Sequence, residues 1–470
     1  MTTSSEARAR ARIRGVGAAA PALRVTAADI GEAWGRSGRG QIAACAPDED
    51  TLTLAWDAAT AALLAAEVDA DTVDAIFWGT SRPPFAEGPS LAFLAASLGL
   101  RSSVEGALLA GSAHSGMEAL NAGTDAITAG SARIALVVVS DALRPGLGTG
   151  FEARCGAGAA AVVLSTEGGS ATIGTRVSHS RPLVDRYRGD GEVDNRDLYD
   201  ARLFREEMFL PSVEAVAGEL AAEPIREWSL PDPDGRLGLV VAKKVKGAPA
   251  ASDVVYKNVG DSGAAAALLG AIGAMGTEGT VAIVGTGGGR TTGVLVNVEA
   301  PVPGTDIVFI AIERGRPAPY AELLRARGQL VPGGETIPMG VPPESALFAR
   351  GADEMLGLLG GRCVDCGTIS TPPSIHPTCI SCGGPKLEPV SLARRGTVHT
   401  YVINHTMPAP FVAPLPIAVL DMEDGARLML QVIGDGSDVA IGRHCELVLR
   451  KYAFERGVPV YGFKARVLGP

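Results

Sequence analysis

Residues Gly106 to Leu143 read GALLAGSAHSGMEALNAGTDAITAGSARIALVVVSDAL. The stretch opens on small residues (Gly111, Ser112, Ala113, Ser115, Gly116), and the apolar positions Met117, Leu120, Ala126 and Ile127 then recur at helical spacing up to a turn at Ala129-Gly130-Ser131. Ile134 to Val139 follows as an unbroken β-branched and apolar run, the pattern of a strand covered on both faces in a mostly parallel sheet. A helix that starts in glycine, alanine and serine lets a ligand or another backbone approach closely, and its first free N–H groups can hold an anion or an acyl oxygen. The same composition also suits a core helix that needs small residues for packing, so both readings stand at this point.

Working outward, the same plan recurs. ITAGSARIALVVVSDA followed by GAGAAAVVLS in the first half parallels IGAMGTEGTVAIVGTGGG followed by TTGVLVNV in the second: helix, glycine turn, apolar strand, gap, strand. Such a duplicated α/β unit places any pocket at the junction of its halves, about residues 12–170 and 229–300. In the first half, Ile13 to Val25 reads as strand and turn and Ala27 to Trp34 as a short helix. Asp48-Glu49-Asp50-Thr51 precedes a long amphipathic helix, Leu52 to Glu67, with its acids at the positive end, and Val73 to Trp78 is a buried strand. Between the halves, residues 181–228 are highly charged and carry Tyr187, Tyr199, Phe204 and Phe209, which reads as a partly helical insertion or cap. From Pro301 to Pro343 proline and glycine rise, marking a linker or an irregular tail of a first domain ending near residue 340.

Composition narrows the classes. The 470 residues are 46% hydrophobic but only 5% aromatic, with 60 glycines, so the interior is built from Ala, Val, Leu and Gly. A net charge of -10 and the absence of a long Lys/Arg stripe argue against nucleic acid as a partner. No apolar run reaches the ~18 residues of a membrane span, and the N-terminus lacks the apolar core of a signal peptide, so no membrane partner and a cytoplasmic location are expected.

Cys363-Val-Asp-Cys366 and Cys379-Ile-Ser-Cys382 form two Cys-x-x-Cys knuckles, each followed directly by glycine (Gly367, Gly383). Two thiolate pairs on tight turns make the tetrahedral sulfur set Zn²⁺ prefers, and four thiolates leave no open position, so this zinc is structural. The zinc-ribbon segment spans about 346–387, and His376 within it reads as a loop residue. Over 388–470, five short strands (Gly396–Ile403, Ile417–Met422, Leu428–Ile433, Cys445–Tyr452, Val458–Leu468) suggest a small barrel of the OB type.

Taken together, DEDT (Asp48 to Thr51), WGTS (Trp78 to Ser81), SAHSGMEAL (Ser112 to Leu120), LPDPDGRL (Leu230 to Leu237), NVGDSGAA (Asn258 to Ala265) and VGTGGG (Val284 to Gly289) resemble the thiolase superfamily. The resemblance is to the branch of HMG-CoA synthase and ketoacyl synthase III and covers about residues 12–340. The remainder resembles the zinc-ribbon plus OB-fold proteins that accompany thiolases. The resemblance implies a thiolase-like layered α/β/α/β/α fold, a coenzyme A thioester as ligand, and a homodimer or a mixed assembly with a separate thiolase. It also implies a nucleophilic cysteine, a glutamate and a histidine, which fall at Ala113 (or His114), Ser81 and Pro231. Neither alanine nor proline can supply a thiolate or its base.

Asn258 matches a family position that hydrogen-bonds the acyl oxygen, with Asp261 close by. Lys243, Lys244 and Lys246 could meet the phosphates of CoA or form a solvated loop. Cys155, after Glu152, could be a replacement nucleophile or a buried structural thiol. The expected function is therefore an acyl-CoA-binding scaffold or channelling subunit paired with a thiolase. The alternative is a lyase or acyltransferase without an acyl-cysteine, drawing on His114, Glu152, Tyr187 or Tyr199, and Asn258.

Overall fold

The computed structural model describes residues 10–197, 201–233, 240–241, 243, 252–331, 350–407, 411–455 and 458–469. Two compact units emerge, residues 1–95 with 100–331, and residues 96–99 with 332–470.

The first unit is built on one nine-stranded sheet. In chain order its strands are β1 (Arg12–Ala19), β2 (Ala75–Thr80), β3 (Glu105–Ala110), β4 (Ile134–Ala142), β5 (Ala157–Ser165), β6 (Ala171–Ser180), β7 (Glu227–Ser229), β8 (Gly279–Gly287) and β9 (Arg290–Val298). Their spatial order is β7-β8-β9-β6-β1-β5-β4-β2-β3. The sheet is mixed rather than mostly parallel: β4 runs parallel to β2 and antiparallel to β5, and β8 runs parallel to β7 and antiparallel to β9. The central strands are still buried on both faces, as their apolar runs require, because helices cover the sheet. β5 is buried at every position.

Three helices matter here, α1 (Thr51–Ala65), α2 (Ser115–Thr128) and α3 (Ala266–Ile272). Asp50 caps α1, its carboxylate accepting from Leu52 N at 3.0 Å and Thr53 N at 3.1 Å while Asp50 N donates to Thr53 Oγ1 at 2.8 Å. The helix is not the amphipathic one expected: ten of its residues are buried, including Leu52, Trp56 and Leu63. α2 buries Met117, Leu120 and Ile127, and α3 is buried along its whole length. Both halves thus run helix, strand, strand (α2-β4-β5 and α3-β8-β9), the duplication legible in the sequence. The expected irregular tail contains the helices Ile307–Glu313 and Tyr320–Ala326, both part of the first unit. Residues 332–349 lie outside those described.

In the second unit, a three-stranded sheet carries the cysteine knuckles, with β10 (Leu359–Cys363) between β11 (Ile369–Ser370) and β12 (Leu387–Ser391). Five further strands, β13 (Arg395–Asn404), β14 (Leu415–Met422), β15 (Arg427–Gln431), β16 (His444–Glu455) and β17 (Val458–Val467), form an antiparallel sheet in the order β15-β14-β13-β16-β17. It curls nearly closed where Ile433 N donates to Ala465 O at 2.9 Å. This is the OB-type barrel anticipated from the alternation of the sequence.

Candidate functional site

Where α2 begins, the first unit encloses a cavity of about 190 Å³ whose wall draws on both halves and on the insertion. Ser81 enters it directly after β2, Ala113 from the turn before α2, and Pro231 just beyond β7. Gly285 to Gly288, at the end of β8, close the opposite side. Glycine is needed there because a Cβ on Gly287 would stand 2.9 Å from His114 N and 3.0 Å from Ala113 N. Ser81, Ala113 and Pro231, at which the resemblance implied a glutamate, a cysteine (there or at His114) and a histidine, thus line one cavity and carry a hydroxyl, a methyl and a pyrrolidine ring.

The polar groups that remain are held in pairs. Ser81 Oγ donates to Asp141 Oδ2 at 2.5 Å, and Ala264 N donates to the same oxygen at 3.0 Å. Asp141 is wholly buried at the end of β4, and that burial raises its pKa against the pull of these donors. From the insertion, Arg186 pairs with Asp261 at 2.9 Å, both side chains at least 85% buried, and the guanidinium lies 5.5 Å from the Phe151 ring centre. Asp185, also on the wall, accepts from Gly288 N at 3.2 Å, and burial raises its pKa although Arg186 opposes the shift. Arg188 and Tyr187 complete this side. Arg82, behind it, is pulled down to about 10 by burial and by Arg188 nearby.

The residues singled out from sequence take other places. His114 is not on the cavity wall: it is buried, with Nε2 2.8 Å from Thr292 Oγ1 and Nδ1 3.3 Å from Glu118 Oε1. Burial lowers its pKa, Glu118 opposing and Arg290 adding to the shift, so the imidazole is held neutral. Glu152 is buried and committed to Gly148 N (2.6 Å) and to the Tyr320 hydroxyl, whose own pKa is pushed up to about 12 by burial and by Glu152. Cys155 is fully buried behind Leu143, its carbonyl accepting from Arg327 at 2.9 Å. Asn258 bonds Gln41 at 3.2 Å and Val254 O at 2.8 Å and is absent from the wall, where Asp261 stands instead. Tyr187 lines the cavity; Tyr199 lies outside the described residues. Lys243 is exposed, and Lys244 and Lys246 also lie outside the described residues. The Arg186–Asp261 pair and Asp185 were hidden in the sequence because nothing in a charged insertion says which charges turn inward.

In the second unit, the sulfurs of Cys363, Cys366, Cys379 and Cys382 all lie within 4.8 Å of one another. The Cys363–Cys382 and Cys366–Cys379 separations are 3.6 and 3.5 Å, near the edge of about 3.8 Å expected of a sulfur tetrahedron around zinc. Each knuckle closes identically: Gly367 N donates to Cys363 O at 2.9 Å, Gly383 N to Cys379 O at 3.0 Å, and both glycines sit at φ 73°. The donor set fits a structural Zn²⁺, with His376 outside it.

Residues 389–450 match the family model for the C-terminal OB-fold domain of ChsH2. A DUF35 domain-containing scaffold protein of Methanothermobacter thermautotrophicus is 34% identical over 121 residues, 24% of this chain and 90% of that protein. The C-terminal part of this chain belongs to the DUF35 family. A hydroxymethylglutaryl-CoA synthase of Pyrococcus furiosus is 32% identical over 154 residues, 32% of this chain and 44% of the relative. The chain thus spans less than half the length of that synthase. In fold, the structure of MvaS in complex with 3-hydroxy-3-methylglutaryl coenzyme A superposes with a TM-score of 0.58 at 19% identity, covering 71% of this chain and 95% of that one. The stretch similar to that synthase and the DUF35 domain are parts of one chain. No helix among the described residues is long and apolar enough to cross a membrane.

Proposed function

We propose that this protein binds an acyl-CoA thioester in the cavity beside Ala113 without forming an acyl-enzyme. In this reading it serves as the scaffold and substrate-handling subunit of a complex whose thiol chemistry comes from a separate thiolase. The observation that carries it is the cavity wall: Ser81, Ala113 and Pro231 line one cavity, and at these positions, where the resemblance implies a glutamate, a cysteine and a histidine, none of the three is present. The residues that could have substituted, His114, Glu152 and Cys155, are engaged in core contacts. The small side chains at the start of α2, with the positive end of that helix beside them, suit a thioester oxygen. The DUF35 domain, shared with proteins named as scaffolds, supports the subunit role, and its four cysteines would hold a structural zinc. Lys243 is the described member of the cluster proposed to meet the CoA phosphates.

The test is calorimetric titration of the full chain with butyryl-CoA, alongside Ala113→Phe, whose ring fills the cavity. Binding by the native chain and at least tenfold weaker binding by the variant are expected, with no mass adduct on either protein. A covalent acyl adduct on the native chain would sink the proposal.

A further inference from the structure

We propose that Asp185 is the acid–base group of the cavity, taking and returning the β-hydroxyl proton of a 3-hydroxyacyl thioester as the bond between Cα and Cβ breaks or forms. This rests on the thioester-binding reading and adds a reaction to it.

Three observations converge. Asp185 stands on the wall of the cavity that also contains Ala113, and it is tied to Gly288 N at 3.2 Å. The adjoining Gly287 approaches Ala113 N so closely that a Cβ would stand 3.0 Å away. The carboxyl is thereby fixed to the glycine turn that faces the vacated nucleophile position. Secondly, the other cavity carboxylate is occupied: Asp261 is neutralised by Arg186 and accepts from Gly263 N at 3.0 Å. The wholly buried Asp141 is not on the wall and accepts from the Ser81 hydroxyl, which is. Thirdly, burial holds Asp185 above the ordinary aspartate value, against its backbone hydrogen bonds and Arg186, which favours the protonated form more than an exposed aspartate would. The charged and titratable groups sharing its walls are Arg181, Arg186, Tyr187, Arg188 and Asp261.

The chemistry follows from what is missing. Without a thiol, thiolytic cleavage and acyl transfer through the enzyme are closed, whereas retro-aldol cleavage needs only a base and a place for an enolate oxygen. The Asp185 carboxylate removes the proton from the β-oxygen, and the O–H electron pair becomes the new C=O bond. The Cα–Cβ bond breaks, and its pair passes into the thioester enolate beside the positive end of α2. The enolate carbon then takes the proton back from Asp185. A ketone or aldehyde and a shortened acyl thioester leave, the carboxylate is regenerated, and no oxidant, reductant or co-reactant is consumed.

The full chain is given 3-hydroxybutyryl-CoA, 3-hydroxyhexanoyl-CoA and 3-hydroxy-3-methylbutyryl-CoA, and the release of acetyl-CoA and the matching carbonyl product is measured. Cleavage of at least one is expected, with an acid limb whose midpoint lies above the ordinary aspartate value. Asp185→Asn should lower kcat by about 10²–10⁴-fold while butyryl-CoA affinity stays within about twofold, and Asp185→Glu should restore part of the rate. Cleavage by D185N at the native rate, or a native chain that binds butyryl-CoA yet cleaves none of the three, overturns the acid–base role and leaves the binding reading intact. Failure to bind butyryl-CoA overturns both.

Discussion

At Ala113 a methyl group stands where the resemblance implies a nucleophilic thiol, and a methyl group cannot carry an acyl-enzyme. The adjoining His114 is the group whose titration should be visible in stability. Its folded pKa lies below the ordinary 6.5, so the neutral form is favoured and the stability it contributes is present above that value. That contribution is lost as pH falls through the lower folded pKa. Glu118 and Arg290, which pair with each other at 2.8 Å, are the charges that face it. The native chain should therefore lose melting temperature as pH is taken below about 6.5, and His114→Gln should flatten that slope. An unchanged slope in a pH series of thermal melts would place the titration elsewhere. That Ala113 carries no thiol was legible in the sequence, since no repacking can create a thiol from alanine. Where His114 and Glu152 point was not, because both contacts, to Thr292 and to Tyr320, come from segments far along the chain.

At the scale of elements, the strongest local pattern proved the most readable. The Cys-x-x-Cys-Gly knuckles specify their own turns, so four sulfurs converge without help from distant sequence. Metal analysis of the purified protein should give about one Zn per chain, and Cys363→Ser should lower that content and unfold the β10–β12 ribbon. Full zinc retention in C363S would count against these ligands. The five barrel strands were legible for a similar reason, since alternation and glycine turns are local signals. β3 was not read as a strand, because GALLA has neither alternation nor β-branched residues; it forms by pairing in parallel with β2. The expected amphipathicity of α1 failed because its small and polar positions, Thr51, Thr53, Ala55, Ala58 and Ala59 among them, are covered as well as its leucines.

The whole molecule divides into two compact units. The thiolase-like unit contains the cavity, and the DUF35 unit contains the metal ligands and a barrel that resembles free-standing scaffold proteins. If the C-terminal unit recruits the separate thiolase, assembly and thioester binding must respond to different perturbations. Copurification with a thiolase from the same genome, followed by mass measurement of any complex, provides the assembly readout; butyryl-CoA titration provides the other. C363S should abolish the complex while leaving thioester affinity within about twofold, because no cavity residue is drawn from the metal-binding unit. Ala113→Phe should do the reverse, weakening the thioester and sparing the complex. A C363S protein that still forms the complex at native stoichiometry would assign recruitment to the thiolase-like unit instead, and the fused C-terminal domain would then need another purpose.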